Sequence, residues 1–337
     1  MPDMPLVSVI IPTYNQKEKF LRECIESAMA QTYTNIRIVI SDNHSTNNAP
    51  LIMAEYAARD ERIQIIKPPH FLKIDESFLF AISSVQTKFA CFVSSDDILM
   101  PNCIDELLKG MLLNEQAAFG HGKAAYFFPD GTEDIRWKYF SETEGYYDFG
   151  KEAAERLLKF EYVCFGGCVI NMEAWKFVMD RLERSGLHIN YSLDILVTLF
   201  LFEKGGVYYS PKVLAKVRIE NDTRDSRLPY MIEDAAYIFN FMEKDGRMNK
   251  MISDTSLDLA AFKKRFFLLQ SKALYYPYFE NHFDFKSLKR GFENLKKFEV
   301  ESPAYFSFLE KGILMFPGFG KGVYKVARPL LLKMFKK

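Results

Sequence analysis

Two adjacent carboxylates, Asp96 and Asp97, follow a short apolar run at 89–93 that is typical of a buried strand. An ionised carboxylate keeps its charge only where water, a cation or hydrogen-bond donors solvate it, so this pair does not belong in a dry core. Two carboxylates at a strand end suit a hard divalent ion. Alternatively, one of them caps a helix opened by Pro101, because proline is favoured at the first helical position. The pair alone leaves both interpretations open.

Two further polar segments follow predicted strands. Asp42 and Asn43 come after the apolar run at 36–40, and four polar or turn residues follow the run at 7–11. Those four are Pro12, Thr13, Tyr14 and Asn15. Asp42 can accept hydrogen bonds from the imide N–H of a pyrimidine or from ribose hydroxyls, and Tyr14 offers a face on which a ring can stack. Because ligands of a parallel sheet bind outside the carboxyl ends of its strands, these segments and the carboxylate pair predict a nucleotide site.

Strands and helices alternate through the first third of the chain. Strands are predicted at 7–11, 36–40, 63–66 and 89–93, and helices at 17–31, 51–59 and 75–85. This alternation indicates βαβ units and a parallel sheet. A helix at 104–113 is followed by mixed strands and loops, and the chain is helical in character from 228 onward. The sequence therefore predicts an α/β fold with a Rossmann-like, mainly parallel central sheet flanked by helices and a helical C-terminal extension.

The composition excludes several other classes. The 337 residues carry 44 basic and 44 acidic side chains, so no long-range field attracts nucleic acid. The five cysteines form no disulfide framework, and Cys164 and Cys168 have no second pair of zinc ligands at a suitable spacing. The N-terminus lacks the features of a signal peptide, and no run reaches the roughly 18 apolar residues of a membrane span. We therefore expect a cytoplasmic protein that is soluble or peripheral.

At these motifs the chain resembles the family-2 glycosyltransferases, which have the GT-A fold and use nucleotide-sugar donors. Residues 7–15 resemble their opening strand and turn, residues 38–47 their nucleotide-binding strand and loop, and residues 92–97 occupy the place of their Asp-x-Asp metal motif. Residues 165–175 are similar to their acceptor-side strand, and residues 193–205 to the helix that carries the catalytic aspartate. The resemblance extends over roughly the first two thirds of the chain.

Asp194 is the residue that matches the catalytic aspartate of this family. The resemblance implies that it acts as the general base of an inverting transfer, taking the proton from an acceptor hydroxyl. The residues themselves agree in part, because an almost entirely apolar helix follows Asp194, and a low-dielectric surrounding raises the pKa of a carboxyl and makes it a stronger base. A helix N-cap is the alternative, and the two roles can coexist.

The resemblance also implies a divalent metal on the donor diphosphate. Asp96 and Asp97 are the expected metal ligands, with Asp96 also in the donor-binding set, and Arg218 is expected to contact phosphate. A surface ion pair is the alternative for Arg218. Oxygen ligands suit Mg2+ or Mn2+, whereas Zn2+ would need His or Cys.

Three positions depart from the family pattern. Ser94 replaces the first carboxylate of Asp-x-Asp, Leu193 stands where Glu often precedes the catalytic aspartate, and Glu220 replaces a common His. The histidine nearest in sequence to Leu193 and Glu220 is His188. Its simpler interpretation is a loop histidine without a role in the site. These departures keep open an alternative function, a catalytically weak nucleotide-sugar-binding or scaffold subunit of a polysaccharide assembly complex. A nucleotidyltransferase would need a Gly-rich basic phosphate loop after its first strand, which residues 12–15 do not form.

Three regions are expected along the chain. Residues 1–115 form the nucleotide-sugar-binding half of a GT-A domain, residues 116–225 its acceptor-binding half, and residues 226–337 a helical region. Its last part, 311–337, has no acidic residue and an apolar helical stripe opposite basic residues. Such a segment can contact an anionic membrane, and a helix docked on the catalytic domain is the alternative.

The family implies transfer of a sugar from a nucleotide-sugar donor, with UDP the favoured nucleotide. The acceptor would be a hydroxyl of a saccharide or lipid-linked saccharide in bacterial surface polysaccharide biosynthesis. Nucleic acid is not an expected partner.

Overall fold

The computed structural model describes residues 4–128, 131–135, 143–158, 166–189, 191–219, 224–267 and 285–298. Two compact units divide the chain. The first contains residues 1–187, 193–221 and 254–256, and the second contains residues 188–192, 222–253 and 257–337. The predicted separation of the first 225 residues into donor and acceptor halves stays a prediction.

The first unit is built on one mixed sheet. Its described strands are β1 (Val7–Thr13), β2 (Ile36–Asp42), β3 (Ile63–Ile66), β4 (Phe89–Phe92), β5 (Ile98–Leu99), β6 (Ala117–Phe127), β7 (Glu133–Asp134), β8 (Gly145–Tyr147), β9 (Cys168–Asn171) and β10 (Gly206–Arg218). They lie in the order β3-β2-β1-β4-β9-β6-β10-β5, with β7 beside β6 and β8 beside β10.

The long strand pairings are parallel. Strands β3, β2, β1 and β4 run parallel to one another, and β6 runs parallel to β10. Strand β9 lies antiparallel between β4 and β6 and joins the two parallel groups. All seven residues of β1 are buried because helices cover both faces of the sheet. The predicted α/β fold with a mainly parallel central sheet is confirmed.

The helices of the first unit are α1 (Glu18–Met29), α2 (Ala49–Arg59), α3 (Ile74–Ser83), α4 (Cys103–Leu113), α5 (Lys151–Leu158), α6 (Met172–Ser185) and α7 (Leu193–Lys204). Helix α1 shows why they pack as they do. Its apolar residues recur three and four positions apart and form one buried stripe, while Glu18 and Glu26 stay on the outer face. The stripe consists of Leu21, Cys24, Ile25 and Ala28.

Two long strands lie where the sequence predicts mixed strands and loops. Strand β6 runs unbroken from Ala117 to Phe127, and β10 runs from Gly206 to Arg218. The register of β10 against β6 shifts between Ser210 and Val213, on either side of Pro211. Proline has no N–H to donate to the sheet, and the structure accommodates Pro211 at this irregularity.

The second unit is helical in its described residues. Its helices are α8 (Arg224–Lys244), α9 (Gly246–Asp254), α10 (residues 259–267) and α11 (Phe285–Leu295), followed by a 3-10 turn (Lys296–Phe298). Their core is aromatic, with Phe239 in ring contact with Phe266 and Phe298. The buried Asp234 accepts hydrogen bonds from the backbone N–H groups of Tyr191 and Ser192 at 2.7 and 3.0 Å. The predicted helical extension is therefore present, while the basic segment 311–337 lies outside the described residues.

Within the ranges that the structure describes, no helix combines the length and hydropathy needed to cross a bilayer.

Replacing Gly110 of α4 with alanine is expected to destabilise the first unit by about 1–3 kcal/mol. A Cβ at Gly110 would lie 1.9 Å from Cζ of Tyr208, whose hydroxyl donates to Glu144. This overlap outweighs the gain in helix propensity, which is about 1 kcal/mol. Urea unfolding measures the effect, with Gly246→Ala as the control, since a Cβ there meets no described atom within 4 Å. Equal stability of Gly110→Ala and the parent would contradict this packing.

Candidate functional site

The polar loops that follow β1, β2 and β4 meet at one edge of the sheet. Strand β1 lies between β2 and β4, and its last residue, Thr13, is the register partner of Asp42 at the end of β2. The N–H of Asn43 donates to the carbonyl of Thr13 at 2.9 Å. From the loop after β1, the side chain of Gln16 donates to Ser95 Oγ in the loop after β4 at 3.2 Å. The structure thus brings together the three segments in which the sequence predicts a nucleotide site.

Asn15 ties the loop after β1 to the loop after β2. Its backbone is in the left-handed region, with φ of 47°, and its N–H donates to Ser45 Oγ at 2.9 Å. Its side-chain Oδ1 accepts from the N–H groups of Thr46 at 2.7 Å and Asn47 at 3.3 Å. Asn15 therefore shapes this edge through contacts within the protein, and its predicted contact with a donor stays a prediction.

Asn43 holds the loop that links β3 to α3. Its buried side-chain amide donates to the carbonyl of Leu72 and accepts from the N–H of Leu72, both at 2.9 Å. Beside it, His44 Nε2 lies 3.0 Å from the carbonyl oxygen of Pro68. These contacts bring residues 67–72, which the sequence analysis did not assign to the site, to the same sheet edge.

Asp42 is fully buried at the end of β2. Its Oδ1 accepts from the N–H of Ser45 at 2.9 Å, and its Oδ2 lies 2.9 Å from Lys67 Nζ. The contact with Lys67 is an ion pair, and no other described residue forms a hydrogen bond with Oδ2. Burial raises the pKa of Asp42, whereas the hydrogen bonds from Ser45 and the contact with Lys67 lower it. The lowering effects together are larger, so the pKa of Asp42 is below its ordinary value.

Two buried hydroxyls lie near Asp42 at this edge of the sheet. Thr13 Oγ1 and Ser41 Oγ are buried and have no hydrogen-bond partner among the described residues. A buried polar atom without a partner costs about 1–3 kcal/mol, so proteins rarely keep several together without a use for them. These two hydroxyls, beside the ion pair of the buried Asp42 with Lys67, make this edge a candidate ligand site.

An exposed pair of aromatic rings borders these polar atoms. Tyr14 and Phe71 have ring centroids 5.0 Å apart at an angle of 61°, and 48% and 55% of their surfaces remain exposed. Pro12, the residue before Thr13, is buried within β1. The two rings provide apolar faces against which a planar ligand can stack.

The carboxylate pair lies in the turn between β4 and β5. The N–H of Asp97 donates to the carbonyl of Ser94 at 2.9 Å, and Asp97 Oδ1 accepts from the N–H of Arg218 at 2.9 Å. Asp97 is buried, whereas Asp96 is half-buried. Burial, and then the charge of Asp96, raise the pKa of Asp97 well above its ordinary range, and the Arg218 contacts offset this only in part.

The structure excludes the helix-cap interpretation of this pair. Strand β5 intervenes between Asp97 and helix α4, and Asn102 occupies the N-cap position of α4 without a side-chain capping bond. Neither carboxylate therefore caps the helix that follows Pro101.

The Asp96-Asp97 pair fits a magnesium-type ion as far as its donor atoms are concerned. No group of three or more His, Cys, Asp or Glu side chains in the described part of the chain is arranged to hold a metal. Mg2+ does not require such a group, since it commonly binds through one or two carboxylates, substrate phosphates and water. Its assignment to Asp96 and Asp97 stays a prediction.

Arg218, the last residue of β10, makes its contacts within the protein. Its Nε donates to the carbonyl of Asp96 at 3.0 Å, and a terminal nitrogen donates to the carboxylate of Glu23. The guanidinium carbon lies 3.9 and 4.2 Å from the ring centroids of Phe20 and Phe127. The predicted contact of Arg218 with phosphate stays a prediction.

Asp194 lies in the first turn of α7 and is half-buried. Its Oδ1 accepts from the N–H of Ile195 at 2.8 Å, and its carbonyl accepts from Thr198 Oγ1 at 2.7 Å. The helix continues as a wholly buried run through Phe202, as the sequence predicts.

Helix α7 is joined to β10 through Gly205 alone and packs against β6 and β10. A Cβ at Gly205 would lie 2.3 Å from the carbonyl oxygen of Gln116, so glycine allows this tight turn. The role of Asp194 as base stays a prediction. Of the other two positions considered, Glu220 lies outside the described residues, and His188 is exposed.

Lys67, Phe71 and Glu23 contact residues of the candidate site and were not predicted from the sequence. Lys67 directly follows β3, so the same rule that found Asp42 could have found it. Phe71 and Glu23 carry no comparable signal, because an exposed aromatic in a loop and a glutamate on a helix are common.

Comparisons with known proteins agree with this architecture. The sequence model of Glycosyl transferase family 2 matches residues 8–176. An uncharacterized glycosyltransferase of Methanocaldococcus jannaschii is 36% identical over 110 residues, covering 32% of this chain and 38% of that protein. Chondroitin synthase of Escherichia coli is 32% identical over 114 residues, covering 33% and 16%. The matched segment thus spans less than half of each relative.

A solved structure shows the same fold at low sequence identity. Residues 1–349 of TarS from S. aureus, in complex with UDP-GlcNAc, superimpose with a TM-score of 0.59 at 14% identity, covering 94% of this chain and 88% of that one. The predicted GT-A type fold is thereby confirmed.

Proposed function

Because the chain belongs to glycosyl transferase family 2, we propose that it is an inverting glycosyltransferase. It moves a sugar from a nucleoside-diphosphate sugar, with UDP as the favoured nucleotide, to a saccharide hydroxyl. One observation carries the proposal. The matched segment presents, along one sheet edge, two exposed rings, the unsatisfied buried hydroxyls of Thr13 and Ser41, the buried carboxylate of Asp42, and the Asp96-Asp97 pair. A ligand with a planar base at one end and a diphosphate at the other suits this order of groups.

The side chains of Asp42 and Lys67 suit a nucleobase that has an imide edge. Oδ2 of Asp42 forms an ion pair with the half-exposed Lys67 ammonium, so an acceptor and a cationic donor lie side by side. Uracil presents an N–H next to a carbonyl, so its N–H would donate to Asp42 and its carbonyl would accept from Lys67. Guanine has the same pattern at its N1 and O6, whereas adenine and cytosine reverse it. Tyr14 and Phe71 would flank the ring.

The remaining donor-binding residues serve the ribose and diphosphate. In this proposal Asn15, Asn43 and the backbone after Pro12 shape the ribose pocket, and Arg218 is a candidate phosphate contact. Asp96 and Asp97 would hold Mg2+ or Mn2+, which when bound acts as a Lewis acid toward the diphosphate. Carboxylate oxygens are the ligands that such ions prefer.

Asp194 is the proposed general base. It would accept the proton of the acceptor hydroxyl as that oxygen attacks the anomeric carbon, opposite the departing nucleoside diphosphate, so that configuration inverts. Its position at the half-buried start of a buried apolar helix supports this role, because little water competes for the carboxylate there.

The acceptor and the cellular place complete the proposal. A saccharide or lipid-linked saccharide of bacterial surface polysaccharide biosynthesis is the proposed acceptor, and relatives such as chondroitin synthase make polysaccharide assembly the natural setting. The protein would act in the cytoplasm, and residues 311–337 would contact the anionic inner face of the membrane.

Calorimetry with nucleoside diphosphates, with and without Mn2+, tests the proposal first. UDP and GDP are expected to bind about tenfold or more tightly than ADP and CDP, because adenine and cytosine in the same pose place the lone pair of a ring nitrogen, not an N–H, against the Asp42 carboxylate. A panel of UDP- and GDP-sugars then follows, with NMR of the released or transferred sugar. Inverted products support the proposal, and retention of configuration would refute a single displacement. Binding without turnover of any donor would favour the weak-catalyst or scaffold alternative that Ser94 suggests.

A further inference from the structure

We infer that Arg218 is a positioning residue that holds the Asp96-Asp97 turn in place, rather than a phosphate ligand. This inference rests on the proposed function, because it concerns the carboxylates to which that function assigns the donor diphosphate. Arg218 touches both members of the pair through atoms that are not free for a ligand. Its backbone N–H donates to Asp97 Oδ1 at 2.9 Å, and its side-chain Nε donates to the carbonyl of Asp96 at 3.0 Å, so Arg218→Lys alters only the second of these contacts.

The guanidinium of Arg218 is fixed on its other sides as well. Phe20 and Phe127 lie on it, with its carbon 3.9 and 4.2 Å from their ring centroids, and Glu23 accepts from a terminal nitrogen. Only 10% of the Arg218 side chain is exposed. A planar cation held between rings and bonded at its edge has one orientation, which an ammonium on a flexible stem does not reproduce.

These contacts join four elements at one point. Phe20 and Glu23 belong to α1, Phe127 ends β6, Arg218 ends β10, and the carboxylate turn follows β4. Another bond supports the same turn from α1, since Cys24 Sγ donates to the carbonyl of Ser94 at 3.3 Å. Arg218 thus relates the turn to the sheet and to α1 at the same time.

The charge balance also favours positioning over phosphate binding. The guanidinium donates to the carboxylate of Glu23 and to the backbone carbonyl of Asp96, and the exposed Lys19 lies 4.0 Å from Glu23 at the surface. The positive charge of Arg218 is therefore already matched within the protein. The side chains of Asp96 and Asp97 in the adjacent turn are the groups suited to a cation, so a diphosphate would be bound through that cation rather than through Arg218.

Three variants test this inference. Arg218→Lys keeps the charge but loses the planar contacts, and Glu23→Gln loosens the guanidinium while leaving Arg218 intact. Arg59→Lys is the matched control, since Arg59 lies over the Tyr56 ring at 5.2 Å and pairs with Glu55 on the surface of α2. The measurements are UDP affinity with and without Mn2+, the kcat and KM for the donor, and hydrogen exchange of residues 94–99 without ligand.

A positioning residue gives a distinct pattern. In Arg218→Lys, Mn2+-dependent UDP affinity or kcat is expected to fall about 10- to 100-fold, as it does when residues that orient metal ligands are lost. UDP affinity without Mn2+ should be nearly unchanged, exchange of 94–99 should quicken, and Glu23→Gln should shift every value in the same direction by less. Arg59→Lys should match the parent.

A phosphate ligand gives the opposite pattern. Arg218→Lys would weaken UDP binding without Mn2+, and Glu23→Gln, which releases the guanidinium, would tighten it with kcat unchanged. Either result overturns the inference. If the parent binds no nucleotide, the proposed function fails, but the exchange of 94–99 still decides whether Arg218 orders the turn. If Arg218→Lys does not fold, Glu23→Gln carries the same test.

Discussion

Asp194→Asn is expected to transfer sugar about 100- to 10,000-fold more slowly than the parent, with nearly unchanged donor affinity. Asparagine has almost the same shape but accepts no proton at neutral pH, so only the base is lost. Steady-state transfer at saturating donor measures the rate, and calorimetry with UDP and Mn2+ measures the affinity.

The fold should tolerate this substitution. Oδ1 of the half-buried Asp194 accepts a hydrogen bond from the N–H of Ile195, and the asparagine carbonyl can accept the same bond. Thr198 bonds to the backbone carbonyl of residue 194, which the substitution does not alter. A loss of activity would therefore report on chemistry rather than on unfolding, and a thermal melt that matches the parent would establish this.

Asp180→Asn provides the matched control for a change of one aspartate near this helix. Asp180 lies on the neighbouring helix α6, is 46% exposed and pairs with Arg184 on the surface. Asp180→Asn should leave the rate of sugar transfer unchanged. If Asp194→Asn retained the parent rate, another group would have to accept the proton, and the assignment of the base would be wrong.

The placement of Thr13, Asp42 and Asp97 could be predicted from the sequence because it depends on local patterns. Each follows an apolar run of strand length, and the alternation with helices requires parallel strands whose carboxyl ends share one edge. No long-range contact has to be known for this argument. The same rule would have added Lys67, which follows β3 in the same way.

The contacts of Arg218 could not be predicted in this way. Its partner Glu23 is 195 positions away and Asp96 is 122 positions away, and no local pattern specifies which distant strand end meets which turn. The antiparallel insertion of β9 between β4 and β6 determines that arrangement, and a four-residue strand gives a weak signal. The sequence therefore predicts the residues of this edge better than their partners.

Asn15 shows a different limit of sequence reasoning. A polar residue at a strand end was predicted to bind a donor, yet Asn15 bonds to three residues of the loop after β2. Ligand-binding and loop-shaping asparagines have the same local sequence context, since both need a polar side chain that tolerates a positive φ. Only the partners distinguish them.

Asp97→Asn is expected to lose about 100-fold or more in Mn2+-dependent UDP affinity, and transfer with it. A neutral amide cannot compensate a divalent charge, although its oxygen can still accept the hydrogen bond from the Arg218 N–H. Calorimetry with UDP and Mn2+ measures the loss. Glu61→Gln, an exposed carboxylate in the turn before β3, is the control and should bind as the parent does.

The same substitution should leave the metal-free protein as stable as the parent or more so. Burial, and then the charge of Asp96, raise the pKa of Asp97, so ionised Asp97 is less favourable in the folded chain than in the unfolded chain. The stability that a protonated Asp97 contributes is present below the unfolded pKa of about 3.9 and is lost as pH rises through the raised folded pKa. Asp97→Asn has no such proton to lose. Urea unfolding in EDTA across this range should therefore show a shallower decline with pH than in the parent.

Both outcomes of Asp97→Asn are needed for the assignment of this carboxylate. Folding alone would favour a neutral side chain at position 97. If the Asp97 carboxylate weakens the metal-free fold and is nevertheless required for binding, its role is to bind the ligand. If Asp97→Asn instead lowered stability and kept the Mn2+-dependent affinity for UDP, the carboxylate would serve the fold through its bond to Arg218. The diphosphate would then have to be held by other groups at this edge.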